Sequence, residues 1–173
     1  MLQPTCRRHW AQRGCTPILR CWARHDRLSV IGALELSPAR GHIHMDWHVQ
    51  KCNVRAEQVV RFVCDRAARY RRILLVLDRS NPHRSAARQL QALLGRRLHL
   101  EWLPAYAPEI NPSEQLWNHA KYADLANFVP SDLNHLARRA GSSLYHQSRR
   151  ATLLRSFFKT ARQIGRASCR ERV

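Results

Sequence analysis

Apolar and polar residues alternate along two stretches in the first third of the chain, residues 28–36 and 42–49. A period of two places every second side chain on one face, so each stretch predicts a half-buried β-strand. Between them, Ser37, Pro38 and Gly41 supply turn chemistry, which favours an antiparallel hairpin. The apolar positions are Leu28, Val30, Gly32, Leu34 and Leu36 in the first stretch and Ile43, Met45, Trp47 and Val49 in the second.

The period then becomes helical before a continuous apolar run begins. Asn53 can cap a helix whose apolar stripe is Val59, Val60, Val63, Ala67 and Tyr70. Residues 73–77 read ILLVL, a run typical of a strand covered on both faces in a mixed or parallel sheet. Asp78 follows directly, so it is predicted to stand at the carboxyl end of that strand.

A second alternation of helix and strand follows. Apolar positions at helical spacing predict a helix that ends at Gly95, with its stripe at Ala86, Ala87, Leu90, Leu93 and Leu94. A short strand is predicted around Leu98, Leu100 and Trp102. Residues 103–112 contain three prolines and are predicted to lack regular structure. Asn111 as cap and Pro112 as first residue then begin another helix.

Helical spacing dominates the last third of the chain, in residues 131–144 and again in 153–158. The whole order is strand, strand, helix, strand, helix, strand and then helices. This order predicts an α/β fold with an antiparallel start and a helical C-terminus. One strand expected at the front of such a sheet is missing or incomplete.

The charge balance indicates a polyanionic partner. The chain has 173 residues, 45% of them hydrophobic, which suits one globular domain. It carries 30 Lys+Arg against 12 Asp+Glu, a formal charge of +18, and all but three of the basic residues are arginine. Arginine binds phosphate through a planar fork, and phosphate neutralisation releases counterions, so nucleic acid is favoured over a membrane surface.

The sequence does not indicate a membrane protein, a secreted protein or a protein held together by zinc or disulfides. No apolar run approaches the roughly 20 residues of a membrane span, and the first residues lack a signal-peptide pattern, so a cytoplasmic protein is expected. The cysteines form no Cys-x-x-Cys pair and no tight Cys/His cluster. Free thiols are therefore expected rather than structural zinc or disulfides. The six positions are Cys6, Cys15, Cys21, Cys52, Cys64 and Cys169.

Two acidic residues stand where sites form. Asp78 ends a strand that is predicted to be buried, and Glu114 lies in the first turn of a helix after the proline-rich loop. Carboxylates at a strand's carboxyl edge project into the crevice where α/β sheets bind ligands, and such oxygens suit Mg²⁺ or Mn²⁺. Two ions between carboxylates can stabilise the attacking and leaving oxygens of a phosphoryl displacement, including DNA strand cleavage.

Each acidic residue also has a structural interpretation. Asp78 can simply begin a turn, and Glu114 stands three residues after Asn111, where a capping-box glutamate is found. Asp46 lies on the polar face of its strand, and Asp65 lies in an arginine-rich helix. The last two are interpreted as solvated rather than catalytic.

Two segments, LLVLDRSNPHRS and EWLPAYAPEINPSEQLWNHAK, resemble the second and third acidic motifs of mariner-like DDE transposases of bacterial insertion sequences. In that family a hydrophobic strand ends in Asp, a His follows, and a Leu-Pro-x-Tyr-x-Pro-x-x-Asn-Pro-x-Glu-x-x-Trp segment precedes a lysine. Residues 10–34 also resemble the segment after the family's first motif, and the resemblance extends over about residues 4–160. The matching positions are Asp78, His83, Leu103, Pro104, Tyr106, Pro108, Asn111, Pro112, Glu114, Trp117 and Lys121.

The resemblance implies a ribonuclease-H-like mixed sheet flanked by helices. It implies that Asp78 and Glu114 are catalytic and hold two Mg²⁺ or Mn²⁺ ions. The implied partners are terminal inverted repeats and target DNA, with a homodimer for the intact, nucleoid-associated bacterial enzyme. Residues that contact DNA or support the motif would be His83, Tyr106, Asn111, Trp117 and Lys121.

Helical spacing bears on some of these roles. Glu114, Trp117 and Lys121 are predicted to share one helix face, and Leu116, Ala120 and Ala123 another. From the first face Lys121 could reach a phosphate. Trp117 can stack on a base or anchor the proline loop. His83 can contact DNA or the metals, or bond to its own loop.

The chain departs from the family pattern at its front. The family's first aspartate lies on a strand just before the segment that begins here, and its helix-turn-helix region is also absent. Residues 1–162 are therefore expected to be a partial catalytic domain, inactive as it stands, with the missing aspartate shortly upstream of Met1.

The last residues, 164–173, read IGRASCRERV. They can be encoded by ATC GGA AGA GCG TCG TGT AGG GAA AGA GTG, which resembles a common sequencing-adapter oligonucleotide. Residues 163–173 are therefore interpreted as an adapter-derived tail, with a disordered basic tail as the alternative.

Two other functions stay open at this point. A non-catalytic basic DNA-binding module would use its arginines on the duplex backbone and leave Asp78 and Glu114 structural. A structure-selective nuclease on the same fold would cleave branched DNA instead of transposon ends.

Overall fold

The two alternating stretches pair as the antiparallel hairpin that their period predicts. The computed structural model describes residues 7, 8, 10–15, 27–37 and 41–170, with side chains as far as residue 161. Strand β1 is Ser29–Ser37 and strand β2 is His42–Gln50, with Ser29 opposite Gln50 and Ser37 opposite His42. Gly41 closes the turn at φ 61°, and its N–H donates to the Ser37 carbonyl at 2.8 Å. Pro38 lies outside the described residues.

The chain then adds two helix and strand pairs. Helix α1 is Ala56–Ala67, followed by strand β3, Ile73–Leu77. Helix α2 is Asn81–Leu94 and strand β4 is Leu98–Trp102. Strands β3 and β4 pair in parallel, with Ile73 beside Leu98 and Leu77 beside Trp102. The predicted alternation is confirmed.

Helices form the rest of the described chain. Helix α3 is Pro112–His119, and it continues as a π turn over Ala120–Asp124. Helix α4 is Leu133–Ser148, and helix α5 is Ala151–Arg170. Asp132 caps α4 by accepting the His135 backbone N–H at 2.7 Å. This bond satisfies one of the amides that a helix start leaves unpaired.

Contacts divide the chain into two units. The first, here the hairpin unit, is Met1–Asn53 with Ser113–Phe157. The second, here the parallel-strand unit, is Val54–Pro112 with Phe158–Val173.

The hairpin unit buries one face of β1 and β2 against helices. Met45 is fully buried among residues of α3, α4 and α5, with Ile43, Trp47 and Val49 beside it, as their alternation predicts. A second cluster joins Leu28 to the π turn and α4. The prediction for Leu36 is wrong, because its side chain is 51% exposed close to the hairpin turn.

The parallel-strand unit has its own core between the two helices and one face of the sheet. Its buried members are Val59 of α1, Ala86 and Leu90 of α2, and Leu98 of β4. Ile73 and Leu75 of β3 and Leu100 of β4 pack against them.

Several details of this unit differ from prediction. Helix α1 begins three residues after Asn53, with Arg55 at its cap position and the Arg55 N–H bonded to Gln58 Oε1 at 2.9 Å. The Gln58 side chain thus bonds the N–H of the cap residue, and the prediction of Asn53 as the cap is wrong. Tyr70 lies beyond the end of α1, and Leu93 of α2 is 66% exposed, so neither belongs to the apolar stripe.

Strand β3 is covered on one face rather than on two. Leu74 and Val76 are 61% and 50% exposed, because within the described residues α1 and α2 pack only on the side of Ile73 and Leu75. The described chain is thus mixed α/β, with five α-helices and two short, two-stranded sheets. The α/β prediction is confirmed in that coarse form.

Candidate functional site

Asp78 is positioned by the paired ends of β3 and β4. The Leu103 N–H donates to the Leu77 carbonyl at 2.9 Å, and Arg79 Nε donates to the Leu103 carbonyl at 3.1 Å. The first bond extends the backbone pairing by one residue beyond β4, and the second ties the Arg79 side chain to the same residue. Asp78 therefore stands at the carboxyl edge of this sheet, as predicted, next to the start of the proline-rich loop.

The Asp78 carboxylate accepts bonds from the segment that leads into α2. Its Oδ1 accepts the Ser80 N–H at 3.0 Å and lies 2.5 Å from His83 Nδ1. Burial alone would raise the pKa of Asp78, but the hydrogen bonds from Ser80 and the interaction with His83 outweigh it and hold the pKa below its ordinary value. Asp78 is therefore an ionised carboxylate at neutral pH, and its side chain is 43% exposed.

His83 is brought to Asp78 by the first turn of α2, where Pro82 stands in the N-terminal positions that tolerate the lack of an N–H. The alternatives for His83 were DNA, the metals or its own loop. The structure gives a direct bond to Asp78, which orients that carboxylate. The predicted turn at Asp78 is also present, because Ser80 N–H caps the same oxygen.

The proline-rich loop is less irregular than predicted. Pro108–Ile110 forms a single 3₁₀ turn, and the Asn111 N–H donates to the Pro108 carbonyl at 3.1 Å. This bond occupies the amide that a capping-box glutamate would accept. Tyr106 has φ 58° and a fully exposed side chain, an uncommon backbone conformation for a bulky residue.

Glu114 lies in the first turn of α3 and is half-buried. Pro112 is the first residue of the helix, as predicted. Among the residues that the structure describes, no hydrogen bond or ion pair holds the Glu114 carboxylate. The structure therefore does not support Glu114 as a capping-box residue. Its position in the first turn of α3 is the one from which a catalytic role was predicted.

Trp117 anchors α3 to the hairpin. It packs beside the cluster around Met45 and Leu116, and a Cβ added at Gly32 would lie 2.6 Å from the Trp117 ring atom Cη2. The indole therefore rests against the β1 backbone, at a point where a side chain would not fit. Of the two predicted roles, the anchoring role is present, with the hairpin in place of the proline loop.

Gly32→Ala is therefore expected to destabilise the protein by about 1–3 kcal/mol, because the added methyl group overpacks the contact with Trp117. Urea denaturation followed by tryptophan fluorescence measures this change. Gly141→Ala is the matched control, since a Cβ there meets nothing within 4 Å. Alanine is favoured over glycine inside a helix by about 0.5–1 kcal/mol, so a control as destabilised as Gly32→Ala would contradict the Trp117 contact.

The helix face predicted for Lys121 is altered by the π turn. The Leu125 N–H donates to the Ala120 carbonyl at 2.9 Å, five residues back, which inserts one residue relative to α-helical spacing. Leu116 and Ala120 are buried as predicted, but Ala123 is exposed and Leu125 is buried in its place. Lys121 is half-buried, with its Nζ 5.2 Å from the Tyr122 ring centroid.

Sequence reasoning missed a polar network that ties the π turn to α4. Asp124 Oδ2 accepts Ser143 Oγ–H at 2.6 Å and Gln147 Nε2–H at 2.9 Å. Ser143 and Gln147 are both buried. Their spacing of four residues on α4 was the available signal. The network holds the last residue of the π turn, Asp124, against α4. Lys121 lies near the start of the same turn.

The other two acidic residues differ from each other. Asp65 is exposed, as predicted. Asp46 is less exposed than predicted, with its side chain at 20%, and its Oδ1 lies 3.3 Å from His44 Nε2.

The carboxylates fit a hard divalent cation by donor type. Asp78 belongs to the parallel-strand unit and Glu114 to the hairpin unit. An ionised and partly exposed oxygen donor such as Asp78 matches the preference of Mg²⁺ and Mn²⁺. Within the described residues, no three His, Cys, Asp or Glu side chains are grouped to hold a metal ion.

Comparison with known proteins gives the family. A family model described as DDE superfamily endonuclease matches residues 1–136, which is more than half of the chain. A search of curated proteins found no match. In the described part of the chain, no helix is long and apolar enough to span a membrane. The matched residues include Asp78, His83 and Glu114, and the chain belongs to the DDE superfamily endonucleases.

Proposed function

We propose that this chain is the catalytic region of a mariner-like DDE transposase of a bacterial insertion sequence. The reaction is cleavage of DNA at terminal inverted repeats, followed by joining of the ends to target DNA. The observation that carries the proposal is the ionised Asp78 carboxylate, oriented by His83 at the carboxyl edge of a parallel strand pair. Family membership supplies the reaction class, and the formal charge of +18 suits a DNA substrate.

Asp78 and Glu114 are the residues that would hold the cations. Bound Mg²⁺ or Mn²⁺ supplies Lewis-acid stabilisation of the charge that develops on phosphoryl oxygens. His83 keeps Asp78 Oδ1 in one orientation, and the Ser80 amide limits its rotation. Neither contact requires Asp78 to be protonated, so the carboxylate stays available as an anionic ligand.

The other motif residues have supporting roles in this proposal. Trp117 seats α3 on the hairpin, which sets the position of Glu114 within its unit. Tyr106 presents a fully exposed ring from the loop that follows β4, and such a ring can stack on an unpaired base. Asn111 begins the helix that carries Glu114. Lys121 adds a cation two helical turns after Glu114.

The finer fold assignment and the assembly are part of the same proposal. The proposed fold is a ribonuclease-H-like mixed sheet flanked by helices, with its first strand missing or incomplete. A homodimer would hold two transposon ends for the joining reaction.

Metal-dependent DNA binding tests the proposal. Glu114→Gln is expected to abolish the gain in affinity that Mn²⁺ gives for a duplex carrying a terminal inverted repeat, because the amide is a neutral and weaker ligand. The measurement is fluorescence anisotropy with Mn²⁺ and with EDTA. Glu109→Gln, an exposed position in the 3₁₀ turn, is the matched control.

Two outcomes would favour the other functions. Salt-dependent binding that ignores Mn²⁺ and both Asp78→Asn and Glu114→Gln would indicate a non-catalytic DNA-binding module. Metal-dependent action directed by branched DNA, with no preference for inverted repeats, would indicate a structure-selective nuclease.

A further inference from the structure

Three histidines lie in a row on the outward face of β2. His42, His44 and His48 are all exposed, and Asp46 fills the position between the last two. The side chains of a strand alternate between two faces, and the other face, with Met45 at its centre, packs against helices. The imidazoles therefore stand on the side of the hairpin that is opposite to this core.

The residue type on this face differs from the rest of the chain. The chain has 10 His against 30 Lys+Arg, and all but three of the latter are arginine. Yet β2 contains three histidines and neither lysine nor arginine. A solvated face that needed only basic side chains would be served equally well by arginine. Imidazole differs from guanidinium because, when neutral, it offers a nitrogen lone pair to a metal ion.

The spacing of His42 and His44 suits a chelate. Two residues along a strand correspond to about 6.8 Å, and both side chains leave the same face. The two ligand nitrogens need to come within about 4 Å of each other, because each bond from imidazole to Zn²⁺ is about 2.0–2.1 Å long. Rotation of the two side chains can bring them there without a change in the backbone. His48 lies four residues from His44, or about 14 Å along the strand, which is too far to join the same ion.

The hairpin fixes the backbone that carries this pair. His42 stands opposite Ser37 in the strand register, and His44 stands opposite Glu35. The Gly41 N–H donates to the Ser37 carbonyl at 2.8 Å, which closes the turn directly before His42. Two ligands on a fixed backbone have little conformational freedom left to lose when an ion binds.

Asp46 orients the second imidazole of the pair. Its Oδ1 lies 3.3 Å from His44 Nε2. A histidine that binds a metal usually gives its other ring N–H to a carboxylate or carbonyl, which fixes the ring orientation and makes the ligand nitrogen more basic. With Nε2 beside Asp46, the nitrogen that His44 offers to an ion is Nδ1.

The donor type selects the class of ion. Imidazole suits zinc, copper and nickel, whereas carboxylate and water suit Mg²⁺ and Mn²⁺. At a given site the affinity for divalent ions rises from Mn²⁺ through Co²⁺ and Ni²⁺ to Cu²⁺. Within the residues that the structure describes, no three His, Cys, Asp or Glu side chains are grouped around one point. Two imidazoles would therefore be the protein ligands, and water would complete the coordination.

We propose that His42 and His44 form a two-histidine site for a transition-metal ion of the Ni²⁺, Cu²⁺ and Zn²⁺ class. His44 binds the ion through Nδ1, and Asp46 is a positioning residue for its ring. The site differs in donor type from the carboxylates Asp78 and Glu114, so it does not depend on the proposed function.

Titration of the full chain with Ni²⁺ tests the pair. In isothermal titration calorimetry, His42→Gln and His44→Gln are each expected to lower the affinity for Ni²⁺ by at least about tenfold, the scale on which even changes around a metal ligand act. His48→Gln is the matched control on the same strand and face, and it is expected to leave the affinity unchanged. An equal loss in all three variants would show non-specific binding to surface imidazoles and overturn the site.

The unmodified protein gives a second test that does not depend on the folding of any variant. In long-range ¹H–¹⁵N NMR spectra, Zn²⁺ is expected to shift Nδ1 of His44 and a ring nitrogen of His42, and to leave the His48 ring unchanged. Shifts of equal size at all three rings would contradict a site at His42 and His44. Binding of His44 through Nε2 would contradict the positioning role of Asp46.

Discussion

Asp78→Asn is expected to lower the affinity of the protein for Mn²⁺ by at least about tenfold, the scale on which changes around a metal ligand act. Asparagine keeps an oxygen that can accept the Ser80 N–H, so the turn into α2 is retained. It loses the negative charge, and with it the main attraction for a divalent cation. Isothermal titration calorimetry with Mn²⁺ measures the change directly.

Asp65→Asn supplies the matched comparison for that titration. Asp65 is exposed on α1 of the same unit, and the substitution removes the same charge. Its Mn²⁺ affinity is expected to stay within about twofold of the wild type, because exposed charges are strongly screened. Equal losses of Mn²⁺ affinity in the two variants would mean that the effect of Asp78→Asn arises from net charge alone. That result would contradict the role of Asp78 as a ligand.

Leu90→Ala is expected to destabilise the parallel-strand unit by about 2–5 kcal/mol, the range for a fully buried leucine. The Leu90 side chain has no exposed surface and packs with Val59 and Leu98. Its loss leaves a cavity between α2 and the sheet that together position Asp78 and His83. Urea denaturation followed by far-ultraviolet circular dichroism reports the loss.

Leu93→Ala is the control on the same helix. Leu93 is 66% exposed, so the same truncation is expected to change the unfolding free energy by no more than about 0.5 kcal/mol. If both variants lost equal stability, the loss would reflect helix propensity or the unfolded chain, and the core around Leu90 would be wrongly assigned.

Local sequence patterns predicted the strands and helices well. They did not predict which face of a strand other elements cover. A period of two gave the hairpin, and the run ILLVL gave β3 with its bounds. The same run predicted burial on both faces, yet Leu74 and Val76 are exposed. An apolar run reports what a strand can bury, but not which elements are present to cover it.

The sequence indicates candidate site residues but not their contacts. Asp78 and Glu114 stay predictions, made from their places at a strand end and a helix start and strengthened by a family motif. The bond between His83 and Asp78 depends on the direction of the first turn of α2, which spacing alone does not specify. The Arg7 guanidinium carbon lies 5.5 Å from the Tyr122 ring centroid although the two residues are more than one hundred positions apart, so no local pattern could join them.

The π turn at Ala120–Asp124 lets one continuous helix keep its buried face across one extra residue. Leu116, before the turn, packs in the cluster with Met45, while Ala120 and Leu125 pack in the cluster with Leu28. Deleting one residue between positions 120 and 124 would place Leu125 four residues after Ala120, which is ordinary α-helical spacing, so the buried face would be kept. Homologous enzymes that are one residue shorter here are therefore expected to have a regular α-helix in place of the π turn.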